Sequence, residues 1–306
     1  MTASEKRSLH LVGIGVTHSI AYAMHNHIAQ SMDLPWTFYS TECETIEHVM
    51  KLARDPATAG LVVTMPYKNT VMKHLDELDD LATGIGACNN VYYKNTNSGR
   101  RICGTNTDWR GVKGCLLEKG DENLRPNPDS RGIGLVVGAG GASRAAVYAL
   151  AAQLHCDTVY ILNRDDQEVL DLIADAKKIT DATVVHVKTL EQAGELGSPY
   201  YIVGTVPDFE PQTDAEKTVA ALLQEFLSRP TKGVLLDMCF KPRRTRMIKL
   251  AEKLDWPCVE GTHVIGYQIE EQWRLWAGEA LCKQMDRQGA WNVLMAAADS
   301  SPGINF

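Results

Sequence analysis

One short pattern restricts the fold more than any other. The apolar run Gly132-Ile-Gly-Leu-Val-Val137 leads into Gly138-Ala139-Gly140-Gly141-Ala142-Ser143, and an alanine-rich stretch continues from Ser143 to about Leu154. An apolar run with no polar alternation, ended by glycines, reads as a strand buried on both faces. Such strands belong to parallel sheets, and the helix that follows is the crossover to the next strand. Glycines let the backbone turn sharply and let a pyrophosphate approach the helix N-terminus, where unpaired N–H groups point outward. Ser143 stands where a dinucleotide fingerprint usually has its third glycine. An ordinary tight strand-to-helix turn has the same composition; the setting between a buried strand and a helix favours the cofactor.

The alternation extends along the chain. Residues 8–15 alternate apolar side chains and end on glycines, which predicts a strand, followed by a helix from about His18 to Ser31. A strand at Pro35–Tyr39, a helix from Thr45 to Asp55 and a strand at Gly60–Thr64 follow. Beyond the glycine turn, strands are predicted at Thr158–Leu162, Val184–Val187, Tyr200–Val203 and Gly233–Leu236, and Gly266 to Met295 carries helical periodicity. Between Leu116 and Arg131 the chain turns polar and proline-rich, as an exposed connection does. A chain of 306 residues also exceeds the usual size of one core. The expected fold is therefore α/β with two domains: an N-terminal α/β domain over 1–112 and a Rossmann-type doubly wound parallel-sheet domain over 113–262. The remaining helices, 263–306, are expected to pack back on the first domain.

Composition excludes several functions. The formal charge is −7, and the one basic run, Lys241-Pro-Arg-Arg-Thr-Arg246, suits a solvated face or helix start, so no nucleic-acid partner is expected. No apolar run reaches the roughly 18 residues of a membrane span. Met1 to Arg7 lack the charged, apolar, small-residue order of a secretory signal, which predicts a cytoplasmic protein. The eight cysteines include no C-x-x-C pair and are expected to be reduced and mostly buried. His18, His25 and His27 have no carboxylate or cysteine at ligand spacing, so packing or capping is expected of them and no metal. The expected partner is a small molecule, and the expected assembly a monomer or homodimer.

About 20 residues past the glycines, where a side chain meets the adenosine ribose, stand Asn163-Arg164-Asp165-Asp166. The carboxylates can accept from a free 2′-hydroxyl and repel a 2′-phosphate, whereas Arg164 attracts one. NAD is the expectation, with NADP the alternative. An exposed turn with an N-capping Asp accounts for the same residues.

Several ordered motifs, together spanning most of the chain, resemble the shikimate and quinate dehydrogenase family. They are Gly15-Val-Thr-His18-Ser19 through Met24-His25-Asn26; Val63-Thr64-Met-Pro66-Tyr-Lys68; Gly86-Ala-Cys-Asn89; Gly104-Thr-Asn106-Thr-Asp108; the Gly138 to Arg144 turn; Asn163-Arg164; Asp237 with Pro242 and Thr245; and Gly261 with Gln268. The resemblance implies that the first domain binds substrate, that Lys68 and Asp108 form the reacting pair, that Ser19 and Thr64 lie near a substrate carboxylate, and that Asn89 and Gln268 lie near ring hydroxyls. It places the cofactor at Gly138, Gly140, Gly141, Ala142 and Asn163 through Asp166. Chemistry supports the lysine independently, because hydride departure from a carbinol carbon requires removal of the hydroxyl proton. The implied activity is reversible, nicotinamide-dependent oxidation of a ring hydroxyl of quinate or shikimate to the 3-dehydro ketone. A dehydrogenase for another cyclitol carboxylate and a non-catalytic ligand sensor are the alternatives. Ala21, Tyr22, Asn90 and Phe240 depart from the family pattern at substrate positions, while Lys68 and Asp108 are kept.

Overall fold

Strands rich in β-branched residues and leucine alternate with helices, and backbone pairing collects the strands into two separate six-stranded sheets. The computed structural model describes residues 5–97 and 99–306; the first four residues, part of the stretch read for a leader, lie outside the described residues. The chain divides into two compact units. One comprises residues up to Thr107 together with Gln268–Ile304, the other Asp108–Tyr267 with the last two residues.

In the first unit the strands are β1 (Arg7–Gly13), β2 (Trp36–Glu42), β3 (Thr58–Val63), β4 (Glu77–Leu78), β5 (Asn90–Thr96) and β6 (Gly99–Thr105). Their order is β2-β1-β3-β5-β6-β4. β1 runs parallel to β2 and β3, while β5 is antiparallel to both its neighbours. The hairpin β5–β6 was not among the predicted elements. The first helix, Ala21–Ser31, starts later than its apolar pattern suggests, because the Ser19 N–H is taken by the Val16 carbonyl at 3.0 Å in a preceding turn. Thr45 caps the next helix, Ile46–Arg54, by accepting from the His48 N–H.

The C-terminal helices complete this unit's core. Trp276 lies directly over Gly60 of β3, where any Cβ would collide with the indole, and its Nε1 donates to the Val91 carbonyl at 3.1 Å. Trp273 is fully buried and donates through Nε1 to His25 Nδ1 at 3.0 Å. Phe38 stacks on the same imidazole with ring centroids 4.2 Å apart. Accepting at Nδ1 requires an unprotonated nitrogen, and burial pushes His25 down to about 3, so the ring is neutral. His25 is therefore a packing group, as its surroundings in sequence predicted.

In the second unit the strands are β7 (Gly132–Val137), β8 (Cys156–Leu162), β9 (Thr183–His186), β10 (Tyr201–Gly204), β11 (Val234–Asp237) and β12 (Cys258–Glu260). Every pairing is parallel, in the order β12-β11-β10-β7-β8-β9. Two βαβαβ halves thus diverge from β7 and β10, which is the Rossmann order with its switch point between those strands. β7 keeps its predicted bounds. The helix after it runs Gly141–Tyr148 and continues as one wider π turn, Ala149–Gln153. Leu135, Tyr160, Ile202, Phe226 and Leu235 lie in its apolar core. All eight cysteines are free and seven are buried. No helix among the described residues is long and apolar enough to cross a membrane.

The neutral His25 carries a pH signature. Below its ordinary pKa of 6.5 the unfolded chain binds a proton that the folded chain refuses until about pH 3. Stability contributed here is complete above pH 6.5 and falls with acidification, by up to about 1.4 kcal/mol per pH unit. Urea unfolding from about pH 7 to about pH 5 should show His25→Gln less stable than the parent at neutrality but declining more gently. Parallel declines would remove His25 as the source.

Candidate active site

The polar groups of the first unit converge where its strands end. Beyond β3, the Thr64 N–H donates to the Val12 carbonyl at 3.0 Å and the Ile14 N–H to the Met65 carbonyl at 3.1 Å, which joins the loop after β1 to the loop after β3. Ser19 is buried at the end of the first loop, its Oγ accepting from the Ala21 N–H at 3.3 Å. Lys68 is half-buried in the second, and its carbonyl accepts from the Cys88 N–H at 2.8 Å. That bond ties the lysine's backbone to the residue before Asn89.

Asn89 enters a buried network. Its Oδ1 accepts from the Thr107 N–H at 2.6 Å, and its Nδ2 donates to Gln268 Oε1 at 2.8 Å and to Thr107 Oγ1 at 3.1 Å. Thr107 Oγ1 in turn donates to Gln268 Oε1 at 2.6 Å. Each of the three residues is at most 7 % exposed, so the bonds are made away from bulk water and hold both amides in fixed orientations. Two predicted residues, Asn89 and Gln268, are thereby brought together. Thr107, which joins them, was not among the predicted site residues, although it stands immediately before Asp108 in a quoted motif. Of the residues that depart from the family pattern, Ala21 is buried, Tyr22 is half exposed, and Asn90 is buried with a side-chain amide that has no hydrogen-bond partner among the described residues.

In the second unit, Asp108 is 4 % exposed and opens the helix Asp108–Glu118. The glycine turn has the geometry of a phosphate cradle. Gly138 adopts φ +117° with its N–H on the Leu162 carbonyl at 2.8 Å, and a Cβ there would strike Thr205 Oγ1. Gly140 caps the helix with open space where a side chain would stand. Gly141 and Ala142 form the first turn, whose N–H groups have no acceptor within the helix. These features fit a dinucleotide pyrophosphate. Ser143 is buried and donates to Thr205 Oγ1 at 2.7 Å, which itself donates to the Val137 carbonyl at 2.8 Å. The hydroxyl at the third-glycine position therefore fastens the helix start to the sheet. At the end of β11, Asp237 accepts from Thr245 Oγ1 at 2.7 Å and from the Cys239 N–H at 3.1 Å, and burial nevertheless pushes its carboxyl up to about 6.

The charged corner after β8 is built differently from a bare count of charges. Asp165 turns inward as an N-cap, Oδ1 accepting from the Gln167 and Glu168 N–H groups at 2.8 and 3.1 Å. Asp166 pairs with Lys188 at 2.7 Å, a hydrogen bond that holds its carboxyl below the usual range. Asn163 Nδ2 donates to Glu168 Oε2 at 2.9 Å. Arg164 pairs with Glu216, the third residue of the helix Asp214–Leu227.

Comparison with known proteins agrees with this geometry. Residues 11–91 match the shikimate dehydrogenase substrate binding domain. The chain is 35 % identical over 282 residues to the pentafunctional AROM polypeptide of Eremothecium gossypii, across 89 % of this chain but 17 % of that much longer protein. Among solved structures it resembles shikimate 5-dehydrogenase from Thermus thermophilus in complex with NADP(H) and shikimate, with TM-score 0.71, 26 % identity, and coverage of 95 % of this chain and 99 % of that one. It is 31 % identical over 292 residues to quinate dehydrogenase of Emericella nidulans, covering 88 % of this chain and 87 % of that protein. A Rossmann unit with a glycine cradle, a separate unit carrying the matched substrate-binding segment, and near full-length agreement with quinate dehydrogenase together mean that the chain belongs to the shikimate and quinate dehydrogenase family.

Proposed function

We propose that this chain interconverts a ring alcohol and a ring ketone on quinate or shikimate, and that its nicotinamide nucleotide is NAD. The observation that carries the reading is the buried Asn89–Thr107–Gln268 network, which holds two amides in fixed orientations and runs into Asp108 through a single peptide bond. Amides are neutral donors and acceptors suited to ring hydroxyls. The names of the quinate dehydrogenase relative and of the shikimate complex from T. thermophilus support the same substrate class.

Oxidation removes a hydride from the carbinol carbon and a proton from its oxygen, leaving the ketone. The nucleotide, when bound, supplies the hydride acceptor. Lys68 takes the hydroxyl proton in that direction and returns it in reduction, and Asp108 is its carboxylate partner. Ser19 and Thr64 hold the substrate carboxylate. Gly138, Gly140, Gly141 and Ala142 cradle the pyrophosphate, and Asn163 through Asp166 border the ribose. The choice of NAD rests on the cation of this corner, since Arg164 is already paired with the Glu216 carboxylate and a 2′-phosphate would meet that carboxylate as a like charge.

Offering quinate and shikimate each with NAD and NADP, and following the reduced-nicotinamide absorbance, tests the whole reading; no turnover in any combination would overturn it. Lys68→Ala should lower turnover by about 10²–10⁴-fold while nucleotide affinity stays near that of the parent. Near-normal turnover would take Lys68 out of the mechanism. Thr107→Val keeps the volume but removes the hydroxyl between the amides, and should raise the substrate KM by about tenfold with the NAD KM unchanged. Equal KM values for parent and variant would separate the network from substrate binding.

A further inference from the structure

We propose that Glu216 determines nucleotide choice, by taking at Arg164 the place that a ribose 2′-phosphate would otherwise fill. The proposal rests on the reading of the Rossmann unit as the nucleotide site.

Arg164 follows the second strand of that unit, where the adenosine ribose meets the protein, and an arginine there ordinarily accommodates a 2′-phosphate through paired N–H donors. Here its Nη1 already donates to Glu216 Oε1. Glu216 is no loose surface carboxylate. Its other oxygen, Oε2, accepts from the Gln212 N–H at 2.9 Å and the Thr213 N–H at 3.0 Å, while Thr213 Oγ1 accepts from the Glu216 N–H at 3.2 Å. This capping box fixes the carboxylate at the helix start and leaves Oε1 directed at the guanidinium. The rotamer freedom of Glu216 is spent on the cap whether or not Arg164 is present, so pairing orders only the arginine side chain. Three backbone and side-chain bonds also hold Glu216 down to about 2, so it is ionised under any working condition.

The neighbouring acids are engaged elsewhere. Asp165 caps its own helix and Asp166 faces Lys188 and His186. Arg164 is 64 % exposed at its side chain and Glu216 only 24 %, so an incoming phosphate could reach the guanidinium from solvent but would have to displace a preorganised carboxylate and then lie beside it. An exposed ion pair contributes little to folding. Competition for one guanidinium is a different matter, because the loser is a doubly charged ligand placed next to a fixed negative charge. NAD leaves the pair intact.

Glu216→Gln is the informative variant, since glutamine serves the third position of a capping box and keeps an oxygen for the two amides while losing the charge. Equilibrium binding of adenosine 2′,5′-bisphosphate and of 5′-AMP, by calorimetry on the full chain, reads the ribose corner without turnover. The variant should bind the bisphosphate at least about tenfold more tightly than the parent, with 5′-AMP changed by less than about twofold and the melting temperature retained. Adding Arg164→Ala should abolish the gain. A parent chain that binds neither compound would overturn the nucleotide-site reading and this proposal with it. If both bind and Glu216→Gln leaves their ratio unchanged, or if the parent already prefers the bisphosphate, the role of Glu216 is overturned while the nucleotide site stands.

Discussion

Thr107 and Gln268 stand 161 positions apart, yet the hydroxyl of one donates to the amide oxygen of the other at 2.6 Å. These are the points where the chain leaves the first unit and where it returns. Both ends of the excursion are tied to Asn89 in the same buried network, so the segment that carries the Rossmann sheet leaves and rejoins the first unit at one point. The second unit fastens its own first and last helices together as well, with His263 Nδ1 2.8 Å from the Glu118 carboxylate. The amides proposed to recognise a polyol are thus the ones that secure the chain's course. A substitution among them changes two properties at once.

The same economy governs the charged corner of the Rossmann unit. A carboxylate near a ribose can recognise a hydroxyl, cap a helix or neutralise a cation, and its geometry decides which. Asp165 caps, Asp166 neutralises Lys188, and Glu216 combines a cap with a hold on Arg164. Formal charge along four consecutive residues says little about the field a ligand meets there, since hydrogen bonds to backbone N–H groups redirect each oxygen.

Those distinctions mark how far the sequence could be read. The buried strand β7 and its glycine turn were legible because burial on both faces removes polar alternation and only glycine suits the turn at Gly138. The helix after them begins two residues earlier than its alanine pattern indicates, since the cap is Gly140 and a glycine adds nothing to an apolar periodicity. The hairpin β5–β6 escaped notice because its outer half is polar, with Lys94, Asn95, Arg100 and Arg101 in the strands. The helix Asp214–Leu227 was missed although its Thr213–Glu216 spacing is a recognisable start signal. Motifs located Asn89 and Gln268 singly. Their meeting through Thr107, like the grip of Glu216 on Arg164, joins residues too distant for any local pattern to reveal.

The split composition of the first unit also bears on the order in which the molecule can be made. Synthesis runs from the N-terminus, and all of the second unit but its last two residues is translated before residue 268. The first unit by then has its six strands but neither Trp273 nor Trp276, so His25 lacks its indole donor and the strand at Gly60 lacks its indole cover. At about 5–20 residues per second, translating the intervening segment takes roughly ten to thirty seconds. For that interval the face of β3 at Gly60 stands open on the nascent chain, because the indole that covers it is encoded beyond the whole Asp108–Tyr267 segment.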